Sequence, residues 1–109
     1  KVLLLDEPFS AVDALTRMEL QSLILDIWAK SGLTILLITH DVDEAVFLAD
    51  RIAVLSNRPS TVERIESTQL PRPREALATR EMARFLDLRH DLVDHLLRRQ
   101  SERASHASV

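Results

Sequence analysis

Two periods of apolar residues organise this chain. Val2-Leu3-Leu4-Leu5 is a continuous apolar run, read as a fully buried strand that ends in the carboxylates Asp6 and Glu7. Leu20, Leu23, Ile24, Ile27 and Trp28 then recur at helical spacing, which predicts one apolar face on a helix from Ala14 to Lys30. Asp13 falls at its N-cap, and Gly32 lies just past its end, where a positive φ closes a helix. Thr34–Thr39 is β-branched and apolar, and strand–helix–strand in this order predicts a parallel crossover. Asp41 with Glu44 three residues on predicts a capping box, opening a short helix with Ala45, Val46, Leu48 and Ala49 as its apolar contacts.

The second half changes character. Arg51–Ser56 reads as a strand, Asn57–Ser60 as a turn, and Thr61–Ile65 as the returning arm of a hairpin. Leu70-Pro71-Arg72-Pro73-Arg74 breaks the periodicity and predicts an extended linker. An amphipathic helix is expected from Thr79 to Arg99, with Phe85, Leu88, Leu92 and Leu96 as its packing stripe. Ser101–Val109 is small and polar, and is expected to be a disordered tail.

Charge sharpens this division. Residues 1–70 carry 6 Lys+Arg against 11 Asp+Glu, and residues 71–109 carry 8 against 6. The arginines of the second half are interleaved with acids, which favours a solvated helix surface over a nucleic-acid partner. With no cysteine there is no disulfide framework and no thiol metal site. No apolar stretch approaches the roughly 20 residues that span a bilayer.

The candidate chemistry lies at the strand ends. An Asp-Glu pair leaving a buried strand suits Mg²⁺-nucleotide chemistry: Asp6 to hold a hydrated metal, Glu7 to orient and polarise a water. Asp13 follows after a short turn, and His40 ends the second strand beside the pair. His90 and His95 are five apart, on different helix faces, and do not form a metal-binding pair with each other or with His106.

Leu3-Leu4-Leu5-Asp6-Glu7-Pro8 resembles the Walker B segment of ABC-type ATPases, Ser10-Ala11-Val12-Asp13 their D-loop, and Ile38-Thr39-His40-Asp41 their switch-histidine loop, all in the family's order. The resemblance covers the first two-thirds of the chain most closely. The run Thr39–Asp50 and the Leu70–Arg74 step before an Arg/Leu-rich helix resemble ATP-binding subunits of nitrate/sulfonate/taurine-type importers. The family's phosphate loop, glutamine loop and Gly-rich signature are absent, Gly32 being the only glycine. The chain is accordingly expected to be the C-terminal part of an ATPase subunit, inactive alone.

The resemblance implies an α/β fold: the C-terminal part of a P-loop NTPase core, with a parallel sheet, a small β-hairpin and a C-terminal helical extension. Residues 1–70 would belong to the ATPase domain, and 71–100 to the linker and extension. By the same resemblance, Glu7 and His40 are catalytic; Asp6, Ser10 and Asp13 contact the bound nucleotide or its loop; and Asp6 carries the metal. The implied cofactors are ATP and Mg²⁺. The implied partners are a second ATPase subunit, transmembrane permease subunits and, indirectly, a solute-binding protein, with no nucleic acid. The subunit would lie on the cytoplasmic face of the membrane, attached through the permease. Two other classes are carried forward: a soluble ABC ATPase of DNA repair or translation, and a non-catalytic interaction module.

Overall fold

A computed structural model describes residues 1–56 and 61–107. Strand β1 (Val2–Asp6) leads through a loop into helix α1 (Ala14–Ser31), and strand β2 (Thr34–Ile38) leads into helix α2 (Val42–Leu48). Strands β3 (Arg51–Leu55) and β4 (Val62–Ser67) follow, then helices α3 (Ala78–Glu81) and α4 (Ala83–Ala107). The elements form two two-stranded sheets, so the chain is of mixed α/β class.

β1 and β2 pair in parallel, Val2 opposite Thr34 through Asp6 opposite Ile38, as the strand–helix–strand pattern requires. The expectation that β1 is fully buried does not hold within this chain. Leu5, Ile35 and Leu37 are half-buried and share one face, and Leu37 packs on the core. The opposite face carries Val2 (69% exposed), Leu4 and Leu36 (56% exposed). Side chains alternate across a strand, so an element packed on one face leaves the other open.

The core gathers elsewhere. Phe9, Val46, Phe47, Leu48, Val54, Leu70, Phe85, Leu88 and Leu92 form one buried cluster, which seats α2 against α4. Three of the four expected stripe residues of α4 are in it, and Leu96 is partly buried against it. Leu23 and Ile27 of α1 are exposed, contrary to the predicted face. The side of α1 that packs carries Leu20, Gln21, Ile24 and Leu25 instead, because Gln21 finds buried polar partners there. Gly32 closes α1 in the left-handed region at φ 67°, its N–H bonding the Trp28 carbonyl at 3.2 Å.

β3 and β4 are antiparallel, Arg51 opposite Ser67, with an irregularity at Val54/Leu55. The expected turn at Asn57–Ser60 lies outside the described residues. The hairpin docks on α4 through Glu63, which accepts from Arg99 and pairs with His95 at 3.2 Å.

Three further expectations change. The helix predicted over Thr79–Arg99 is broken at Met82, whose backbone is extended, into α3 and α4. Thr79 is buried there, its hydroxyl accepting from the Glu75 N–H at 2.8 Å. Residues 101–107, expected to be disordered, continue α4. The Leu70–Arg74 step is not a loose spacer: Leu70 and Arg74 are both buried against α2 and its neighbours.

Candidate functional site

The parallel ladder sets the two candidate catalytic residues side by side. It runs one bond past β1, from the Glu7 N–H to the Ile38 carbonyl at 2.8 Å. Glu7 thus lies beside the chain that turns two residues later into His40. His40 Nε2 comes 3.5 Å from Glu7 Oε1. The imidazole is 96% exposed, whereas Glu7 Oε1 is buried and has no hydrogen-bond partner among the described residues. A buried carboxylate oxygen without a donor is costly, so this oxygen is poised to accept from a water or a protonated ring.

Glu7 also takes a left-handed conformation, φ 48°, immediately before Pro8. Such a backbone costs about 1–3 kcal/mol in a non-glycine residue and persists only where its surroundings enforce it. Here the ladder bond on one side and a turn on the other enforce it. The Ser10 N–H closes that turn onto the Glu7 carbonyl at 3.4 Å, and Phe9 anchors it in the core. The loop thereby points Glu7 towards the loop after β2 while leaving Asp6 exposed at the strand end.

Asp13 caps α1 as predicted, its Oδ1 accepting from the Thr16 N–H at 2.8 Å. That bond, above all, holds its carboxyl below the ordinary value of 3.8. A depressed carboxylate pKa contributes stability fully above 3.8, and that contribution is lost as pH falls through the lower folded value. Asp13→Ala is therefore expected to lower the urea midpoint at pH 7, and the gap to the unsubstituted chain should close in strong acid. A gap unchanged by acid would show that the carboxylate charge is not what caps the helix.

Asp41 caps α2 through the Glu44 N–H at 3.2 Å, but the predicted capping box is only half made. The Asp41 N–H goes to the Thr39 hydroxyl at 3.0 Å, and the Glu44 carboxylate turns inward to Gln21 at 3.2 Å. Arg17 ties the two loops together, contacting Asp41 Oδ2 at 3.5 Å and the Val12 carbonyl at 3.2 Å. The structure thus brings Glu7 and His40 together on adjacent strand ends, with Ser10 and Asp13 exposed on the loop between β1 and α1. Among the described residues no group of three or more His, Cys, Asp or Glu forms a ready metal site.

Sequence reasoning missed the arginines that hold α2. Arg74 donates to the carbonyls of Phe47 at 2.8 Å, Ala49 at 3.2 Å and Val46 at 3.5 Å, and to the Thr68 hydroxyl at 3.3 Å. Arg72 donates to the Leu48 carbonyl at 3.0 Å and to Asp50 at 2.9 Å, and lies over the Trp28 ring at 4.4 Å. Burial, with Arg72 beside it, lowers the Arg74 guanidinium to about 10, and it stays charged at neutral pH. One signal was available: α2 ends without glycine and without a basic residue in its last turn, so its terminal carbonyls need partners from elsewhere.

This arrangement, a strand-end Asp-Glu pair faced by a histidine from the neighbouring parallel strand, defines a candidate site for hydrolytic chemistry. Comparison with known proteins specifies the family. The chain is 47% identical over 100 residues to a nitrate import ATP-binding protein of Synechococcus elongatus, covering 91% of this chain and 36% of that protein. It is 53% identical over 78 residues to an aliphatic sulfonates import ATP-binding protein of Xanthomonas axonopodis, covering 72% of this chain and 31% of the relative. A bicarbonate transport ATP-binding protein of Synechococcus elongatus is 45% identical over 100 residues, with 91% and 36% covered. No family model matches. The chain belongs to the ATP-binding subunits of ABC transporters, and spans about a third of the length of these relatives. No helix among the described residues is long and apolar enough to cross a membrane.

Proposed function

We propose that this chain supplies the hydrolytic part of the ATP site in the ATP-binding subunit of an importer for a small anion. The observation that carries the reading is the His40–Glu7 contact at the end of the parallel pair, with Glu7 Oε1 otherwise without a hydrogen-bond partner among the described residues. In this reading Glu7 accepts a proton from a water and aims it at the γ-phosphate of ATP. His40, its ring exposed, donates to a γ-phosphate oxygen as charge builds there. Asp6 fits a hydrated Mg²⁺, an ion that keeps most of its waters and needs only one or two carboxylates beside the substrate phosphates. When bound, that ion neutralises charge on the phosphates.

These 109 residues hold no phosphate loop, so the substrate's phosphates are cradled by residues outside them. Ser10 and Asp13, exposed between β1 and α1, are the residues we place against a second ATPase subunit. Permease subunits hold the pair at the cytoplasmic face of the membrane, and a solute-binding protein acts through them. Relatives named for nitrate, aliphatic sulfonates and bicarbonate support a small oxyanion as the solute, with taurine in the same range.

The test uses the whole subunit with its permease. His40→Ala is expected to slow ATP turnover by about 10²-fold, the scale for losing one donor to developing charge. Turnover at the unsubstituted rate would remove His40 from the site. Uptake of nitrate, sulfonates, taurine or bicarbonate is expected in the same system, and uptake confined to an unrelated solute would contradict the assignment.

A further inference from the structure

A second polar network connects the site to the C-terminal segment. Gln21 is 2% exposed, and its amide is shared between two partners. Its Nε2 donates to Glu44 Oε2 at 3.2 Å, and its Oε1 accepts from Arg80 Nη2 at 2.8 Å. Arg80 also bonds the Ala76 carbonyl and lies over the Phe47 ring at 3.9 Å. Only one orientation of the amide satisfies both neighbours. The flipped amide would set N–H groups against a guanidinium and oxygen against a carboxylate.

The three residues come from three elements. Gln21 is on α1, the helix that Asp13 caps; Glu44 is in the first turn of α2, the helix that Asp41 caps; Arg80 is on α3. Arg80 therefore braces the Gln21–Glu44 bond that joins α1 to the first turn of α2, and covers Phe47 of α2 as well. Glu44 is one helical turn from the residue that follows His40. Buried networks that are fully paired are stiff, and a gap in one releases the helices it joins.

Resting on the proposed function, we infer that Arg80 is a positioning residue for His40. Through Gln21 and Glu44 it fixes α2, and with it the distance from His40 to Glu7, so that turnover depends on docking of the segment around α3. The guanidinium carries this role, since Phe47 stacking alone places no donor on Gln21. Burial lowers the same guanidinium below its ordinary value, and the charges of Asp43 and Asp41 oppose that shift.

Arg80→Met, Gln21→Leu and the double variant in the whole subunit test this. Each single variant should lower kcat per nucleotide-binding site by about 10-fold, with KM for ATP within about two-fold of the original. The double should be no slower than the slower single, because both act along one path. A loss of binding sites with kcat per site unchanged, or losses that multiply, would overturn the proposal and leave a merely structural clasp. A second readout does not depend on hydrolysis. The His40 ring resonance, assigned by His40→Gln, should shift in Arg80→Met while that of His90 stays. A still His40 signal overturns the positioning role. Full turnover in Glu7→Gln with a shifted His40 signal would instead remove the catalytic reading and keep the mechanical link.

Discussion

Glu7→Gln in the whole subunit should lower ATP turnover by about 10³-fold while leaving ATP binding intact, the scale for losing a positioned general base. Glutamine matches the shape of the side chain but cannot take the proton of the attacking water. The fold should tolerate it. Glu7 Oε1 is buried without a hydrogen-bond partner among the described residues, and an uncharged amide costs less there than a carboxylate. The thermal midpoint is therefore expected to stay level or rise as activity falls. That combination separates a catalytic role from a structural one. Steady-state ATPase assays and a thermal melt on the same preparation check it. A fall in both together would mean that Glu7 holds the loop rather than the water.

The largest structural effect is expected at Arg74. Its side chain is 1% exposed, and its donors serve the carbonyls of Val46, Phe47 and Ala49 and the Thr68 hydroxyl. Arg74→Met removes those donors and leaves the Val46 and Phe47 carbonyls of α2 without them, while the Ala49 carbonyl keeps the Thr68 hydroxyl at 2.9 Å. Each orphaned group costs roughly 1–3 kcal/mol, with incomplete additivity, so a loss of about 4 kcal/mol is expected. Arg74→Lys should recover less than half, because a single ammonium cannot span acceptors on two sides of the helix end. Urea unfolding at constant m-value measures both. A loss below about 1 kcal/mol in Arg74→Met would show that α2 holds its C-terminus without this arginine. Arg72, paired with an exposed Asp50, is expected to matter less.

The comparison between sequence and structure turns on which contacts a pattern can encode. The order of strands and helices was legible because each carries its own period and its own cap, as Asp13, Gly32 and Asp41 do. The pairing of Glu7 with His40 was legible too, since both end strands that a right-handed crossover must set side by side. Long-range polar contacts were not. Glu44 looked like half of a capping box, and only the packed fold offers it Gln21, from 23 residues earlier. The Leu70–Arg74 step read as a linker because prolines break periodicity, yet its arginines serve helix carbonyls that no local pattern mentions. Burial of β1 was overestimated for a related reason: an apolar strand reports that it needs cover on both faces, not whether this chain supplies it.

The most direct test of the hydrolytic reading is the nucleotide retained by the Glu7→Gln subunit after incubation with Mg²⁺ and ATP. Chromatography of the released nucleotide should give ATP, bound at the level of the unsubstituted protein and uncleaved. Recovery of ADP in its place would show that the γ-phosphate bond breaks without Glu7, and would contradict the site proposed at the end of β1.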